Sequence, residues 1–391
     1  MKTHSQALMR FLMLLGFCLL ACSGITQAQV DGQAQALDAS LNETIMSVPK
    51  RGAIFTINLE TTVYKPDGAG PFPMVVINHG KAPGDPRFQS RYRPVLAARW
   101  FVQRGYVVVV PMRQGFSKSS GSYISGGCNV ESNGRAQAED VKAALDYFVA
   151  LPYVDASNIL VMGQSHGGWT TLALGTLAYP GVKGIVNFAG GLRQESCSAW
   201  EGGLATAAGS FGKETTLRSL WFYGDNDSYF SVRTWSAMFE RYTAFGGTAR
   251  LVAFGTFGGD SHAMFRSRAG QNIWQPEVSA FLTQVGLPNR LQSDFQKYGG
   301  VSTLPVPSPT GFSVIDDLAR IPFVKDTGRE GYKIYLGQIS PKAFSVAPNG
   351  AWGWAEGSDD PLERSLQNCN FRGKGECKLY AVDADVVWKT E

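Results

Sequence analysis

Three side chains far apart in the chain have the types that acyl transfer requires. Ser165 lies in Gly163-Gln164-Ser165-His166-Gly167, a G-x-S-x-G pentapeptide followed by a further glycine, Gly168. A serine hydroxyl is a weak nucleophile until a base takes its proton, and an imidazole titrating near its ordinary value of about 6.5 suits that task. Of the four histidines, His4 is in the first few residues, His166 adjoins the serine, and His79 lies upstream at a strand end. His262, downstream in a loop that precedes a helix, is therefore the expected base. Its imidazole needs a carboxylate to fix the tautomer and stabilise the imidazolium. Gly224-Asp225-Asn226-Asp227 follows a short apolar run. Asp227 is the expected acid, because the loop must clear the strand before a carboxylate can reach across. Asp225 is the runner-up, and Asp260 is assigned to the turn of its own loop. The oxyanion that forms on attack must meet donors already in place. The backbone N–H of His166 is one, and His79-Gly80-Lys81 should supply the other, assigned to Lys81. Such a set attacks an ester-like carbonyl and calls for no metal and no cofactor.

The pentapeptide gains its meaning from what flanks it. Residues 158–162 (NILVM) form an apolar run, as expected of a strand buried on both faces of a parallel sheet, and 169–178 suits a helix. A strand, a sharp turn and a helix in that order would hold the serine in a strained backbone conformation above the sheet. Further buried strands are expected at 72–78, 106–111, 182–188, 220–223 and 249–254, with an alternating strand at 55–60. Helices are expected at 94–104, at 231–245, at 276–285 and around Val141, Ala144, Leu145 and Phe148, which share one face at helical spacing and are stopped by Pro152. A loop rich in Gly and Ser separates the 106–111 strand from about residue 133. Strands alternating with helices imply an α/β domain with a mostly parallel sheet covered on both faces. Trp169, Tyr229 and Phe230, close to the site loops, are candidate pocket residues.

The two ends of the chain differ in character from this middle. Residues 1–28 read as an export signal, with Lys2 and Arg10 near its start and an apolar run at 11–21. That run is shorter than the roughly 20 residues a membrane span needs. Cleavage before Gln29 is expected, and the alternative is a lipoprotein-type box, Leu19-Leu20-Ala21-Cys22, that would place a lipid anchor on Cys22. Either route exports the protein, to the periplasm, the outer membrane or the medium. The formal charge of +4 falls to +2 without Lys2 and Arg10, 34 basic residues against 32 acidic, and this excludes a nucleic-acid partner. Of six cysteines, Cys18 and Cys22 belong to the signal. The remaining four suggest two disulfides in an oxidising compartment. Cys369–Cys377 is favoured by closeness in sequence, which leaves Cys128–Cys197. The absence of a C-x-x-C pair argues against zinc. The expected organisation is a leader at 29–50, a catalytic domain at 51–287, a linker at 288–309 containing LPVPSP, and a small disulfide-stapled α+β accessory domain at 310–391.

Residues from about 50 to 287 resemble the dienelactone hydrolase-like group of α/β-hydrolases, which shades into the prolyl oligopeptidase catalytic domain. The matching pieces are VVINHG (75–80), RQGFSKSSG (113–121), VDASNILVMGQSHGG (154–168), LWFYGDNDSYF (220–230) and GGDSHAMF (258–265). The resemblance implies the α/β-hydrolase fold, with Ser165 as nucleophile, Asp227 as acid and His262 as base in that chain order. It also implies that the 113–121 loop borders the pocket. Dienelactone hydrolases proper use a cysteine nucleophile, so the serine here points to other small-molecule carboxylic esters. Two alternatives stand beside the ester hydrolase. One is a peptidase of prolyl-oligopeptidase type, disfavoured because the chain has neither length nor repeats for a substrate-filtering propeller. The other is a non-catalytic binding protein on the same scaffold.

Overall fold

Edge positions accept residues that a buried strand rejects, and the first strand shows it. Thr44–Arg51 (β1) carries Pro49 and is largely exposed, paired antiparallel along its whole length with Thr56–Tyr64 (β2). Proline is tolerated in a strand only where no ladder is broken, chiefly at edges. This corrects the expectation of a leader through residue 50, since the sheet begins at Thr44. A computed structural model describes residues 37–52, 54–299, 304–338, 340–356, 361–373 and 376–390. The expected signal segment, Cys22 and the first part of the leader lie outside the described residues.

The elements then alternate. Phe72–Asn78 (β3) leads to Val95–Val102 (α1), and Val107–Pro111 (β4) to Val130–Phe148 (α2). Val154–Gln164 (β5) leads to His166–Gly175 (α3), and Val182–Phe188 (β6) to Trp200–Glu214 (α4). Arg218–Tyr223 (β7), Val232–Ala244 (α5), Ala249–Ala253 (β8) and Arg268–Gln284 (α6) complete the series. The sheet order is β1-β2-β4-β3-β5-β6-β7-β8; the β1–β2 and β2–β4 pairs are antiparallel and every pair from β4–β3 onward is parallel. This is the α/β-hydrolase fold.

Period-two alternation divides each central strand between two cores. Met74, Val76, Val107, Val109, Ile159 and Val161 face the layer of α2, α3, α4 and α5. Val75, Ile77, Val108, Val110, Leu160 and Met162 face α1 and α6. Helix α4 was not expected, because its fifteen residues include four glycines, a composition of low helix propensity. Packing explains it: a Cβ on Gly212 would lie 2.1 Å from the carbonyl oxygen of Tyr242, so the glycine lets α4 and α5 approach closely.

Residues 288–299 do not hang free. The Tyr106 hydroxyl donates to the carbonyl of Pro288, the Arg99 guanidinium donates to that of Tyr298, and Tyr298 itself is buried. Beyond them lies a second, antiparallel sheet of Lys342–Val346 (β9), Trp352–Glu356 (β10), Lys378–Val382 (β11) and Asp385–Val386 (β12), ordered β10-β9-β11-β12. It is accompanied by Asp326–Leu336 (α7) and Pro361–Gly373 (α8). The chain turns back after β11 to pair antiparallel with β12. Its own core is aromatic, centred on Tyr332, Tyr335, Phe344, Tyr380 and Trp388. Cys369–Cys377 closes a short loop here, and Cys128–Cys197 joins the loops before α2 and α4.

Candidate active site

The turn between β5 and α3 places Ser165 at φ 56°, ψ −126°. A non-glycine residue there is strained by about 1–3 kcal/mol. The turn is possible only because glycines surround it: a Cβ on Gly167 would lie 2.1 Å from the carbonyl oxygen of Asn78, at the end of β3. The strain lifts the serine out of the sheet, and it is the one partly exposed residue in an otherwise buried stretch from Gly163 to Gly168. As the first residue of α3, His166 has a backbone N–H with no intrahelical partner.

The loop after β7 brings Asp227 to His262. Nδ1 of His262 donates to Asp227, 2.9 Å from Oδ2 and 3.1 Å from Oδ1. Both side chains are withdrawn from solvent, at 2% and 0% exposure, which strengthens the contact. Asp227 Oδ1 also accepts from the backbone N–H groups of Tyr229 and Phe230, which hold the carboxylate in place. With Nδ1 protonated, Nε2 keeps its lone pair. Asp260 caps the short helix Ser261–Arg266 by accepting from His262 N–H, and it accepts from Ser228 as well. Asp225 is exposed and makes no side-chain contact with His262 among the described residues.

No hydrogen bond joins Ser165 Oγ to His262 among the described residues. The two are linked through Gln164, whose Nε2 donates to the carbonyl of His262 at 2.7 Å. Contacts between such groups are commonly long before substrate binds. The ring of Tyr229 lies over the His262 imidazole, with centroids 4.5 Å apart, and Phe230 is 5.8 Å away. Trp169 is not a pocket residue. It is fully buried, packs on Phe211, and donates from its indole to the carbonyl of Val130.

The loop after β3 carries Gly80 against the serine: a Cβ at position 80 would lie 3.3 Å from Ser165 Cβ and 3.8 Å from its Oγ. Lys81 follows, with its ammonium group donating to the carbonyls of Ala82 and Gly84. Partial burial lowers its pKa. Sequence reasoning named His79 and His166 beside the oxyanion donors but did not foresee that their side chains join a buried polar cluster beneath these loops. His79, His166, Arg113, Asn133 and Gln137 form one buried hydrogen-bonded cluster. Of its other members only the Arg113 loop had been signalled, through the family resemblance. Among the described residues no group of three His, Cys, Asp or Glu side chains could hold a metal ion, and no helix is long and apolar enough to cross a membrane.

The family model of the X-Pro dipeptidyl-peptidase (S15 family) matches residues 56–231, a segment that contains Ser165 and Asp227 and stops short of His262. No curated protein sequence matches the chain. Among solved structures, the chain is similar to a putative dienelactone hydrolase from Klebsiella pneumoniae subsp. pneumoniae MGH 78578, at 19% identity and a TM-score of 0.45, over 62% of this chain and 98% of that one. It is similar to Est1E from Butyrivibrio proteoclasticus with bound ferulic acid, at 17% identity and a TM-score of 0.45, over 62% and 99% of the two chains. A third is dipeptidyl peptidase 4 of Porphyromonas gingivalis, at 17% identity and a TM-score of 0.45, over 60% of this chain and 35% of that one. Fold topology and family match together make the chain a hydrolase of the α/β-hydrolase type.

Proposed function

We propose that this α/β-hydrolase is an exported serine hydrolase of small carboxylic esters, working through an acyl-enzyme on Ser165. The observation that carries the reading is the buried Asp227–His262 pair, whose loop is tied by Gln164 to the end of β5 where the strained serine stands. In the reaction, Ser165 Oγ attacks the ester carbonyl carbon while its proton passes to His262 Nε2. The negative charge moves to the carbonyl oxygen, which accepts from the backbone N–H groups of His166 and Lys81. Collapse of the tetrahedral species expels the alcohol, which takes the proton back from His262. Water then attacks the acyl-enzyme with His262 again as base, releasing the acid and restoring the serine. Asp227, accepting from Nδ1, stabilises the imidazolium.

The S15 match favours a second reading, a dipeptidyl peptidase. Such an enzyme needs an anion to receive the substrate's terminal ammonium. Three carboxylates of the site loops are already engaged: Asp227 by His262, Asp260 by Ser228 and the His262 N–H, and Glu195 by Arg193. The nearby cations Lys81, Arg113, Arg193 and Arg266 further disfavour an ammonium group. The ester reading is therefore preferred. A fluorophosphonate should label Ser165, and p-nitrophenyl esters should turn over much faster than X-Pro anilides. Ser165→Ala should lose both labelling and turnover, by about 10⁶-fold in kcat, while melting as the wild type does. Faster anilide than ester turnover would install the peptidase instead.

A further inference from the structure

We infer that Arg113 is a positioning residue that ties together the two halves of the oxyanion site, one through His79 and one through His166. The inference deepens the ester-hydrolase reading and rests on it.

Arg113 follows β4 and is wholly buried. Its backbone N–H donates to His79 Nε2 at 2.9 Å, so His79 carries its proton on Nδ1 and donates it to the carbonyl of Gly80 at 2.7 Å. Gln89 Nε2 donates to the same carbonyl at 3.1 Å. In a trans peptide the carbonyl and the following N–H point in opposite directions. Capture of the Gly80 oxygen by His79 therefore turns the N–H of Lys81 the other way, in a loop whose Gly80 abuts Ser165.

The second arm runs through the side chain. Nη2 of Arg113 donates to His166 Nδ1 at 3.1 Å, so His166 is protonated on Nε2 and donates to Asn133 Oδ1 at 2.7 Å. Asn133 is itself fixed by donating to the Tyr123 hydroxyl and to the carbonyls of Ile124 and Ser125. A ring held at both nitrogens holds the first residue of α3, whose backbone N–H is the other oxyanion donor. The guanidinium is completed by Nε donating to Gln137 Oε1 at 3.0 Å, while Nη1 is buried without a partner among the described residues.

Charge supports the same assignment. Burial first, and the Arg113 cation second, pull His79 and His166 well below the usual imidazole range and keep both neutral. Protonation of either ring would destroy the acceptor that Arg113 uses. The other polar groups near the cluster are Asp140, which accepts from Lys50 and from the Gln114 N–H, with Lys81, Asp85 and the Tyr123 hydroxyl. Phe116 packs its ring 4.6 Å from that of His79 and 5.3 Å from the guanidinium, sealing the cluster from water. A buried cation stabilises the developing oxyanion more than the neutral ester, so its effect belongs to the transition state.

The test is kinetic. Arg113→Met should lower kcat on p-nitrophenyl acetate by about 100-fold, the low end of losing one oxyanion donor, and leave KM nearly unchanged. Affinity for a trifluoromethyl ketone should fall in parallel, while affinity for acetate, the product acid, stays at the wild-type level. Arg113→Lys, which keeps the charge without the fork, should recover part of the rate. A kcat for Arg113→Met within threefold of wild type overturns the inference, as does equal weakening of ketone and product. Should Arg113→Met fail to melt cooperatively, imidazole ¹⁵N spectra of the unaltered protein decide. His79 should be the Nδ1–H tautomer and His166 the Nε2–H tautomer, with neither titrating between about pH 5 and 8. The opposite tautomer or a titration in that range overturns it. Failure of the unaltered protein to react with a fluorophosphonate would instead remove the ester-hydrolase reading, and the spectra would still test the contacts of Arg113.

Discussion

The loops on either side of Ser165 both use histidine, in opposite ways. After β7 and β8, His262 has one nitrogen committed to Asp227 and the other left without a protein partner among the described residues. After β3 and β4, His79 and His166 have both nitrogens committed, and burial beside Arg113 keeps them uncharged. A proton carrier needs a free lone pair and a carboxylate to receive the charge. A scaffold imidazole needs the reverse, two fixed contacts and a cation that forbids protonation. The same side chain is thus a moving part or a fixed one according to the sign of the nearest buried charge.

Replacing the carboxylate on the mobile side should have the largest effect. Asp227→Asn is expected to lower kcat by about 10⁴-fold, since an amide no longer fixes the tautomer or balances the imidazolium. Asp225→Asn should stay within a few-fold of wild type, and esterase assays giving the reverse order would move the acid role to Asp225. The loops of the fixed side are also stapled, and the staple can be compared with the one in the C-terminal sheet. Cys128–Cys197 spans 69 residues and Cys369–Cys377 spans 8. Chain entropy alone then assigns about 4 kcal/mol to the first and about 2.5 kcal/mol to the second. Urea unfolding of the paired Cys→Ser variants should show that ranking, and an equal loss would mean that strain or residual structure dominates. A further effect concerns acid. His79 and His166 have native pKa values depressed below the unfolded value of about 6.5, so the unfolded chain binds protons that the native one does not. Their contribution is fully present above that value and is lost as pH falls, by about 1.4 kcal/mol per pH unit for each ring. Urea midpoints measured between pH 7.5 and 5 should fall accordingly, and a flat profile would contradict neutral burial.

Much of this was legible in local sequence. Residues 158–168 announce a strand, a glycine-flanked turn and a helix start, because backbone strain at a serine and close approach of glycines are properties of a few consecutive residues. Runs such as 106–111 declare a strand buried on both faces, because no polar side is left to expose. Strand β1 and helix α4 were missed for the converse reason. Proline in an edge strand and four glycines in a helix oppose local propensity, and only the partners β2 and α5 make those conformations favourable.

The types and chain order of Ser165, Asp227 and His262 belong to the sequence, since they follow from which residues stand at the ends of recognisable strands. Which groups actually touch belonged to the tertiary structure. Gln164 meets His262 across 98 positions and Arg113 meets His166 across 53. A hydrogen bond is decided within a few tenths of an ångström, a precision that spacing along a chain does not carry and that the packing of β3, β4 and β5 side by side does.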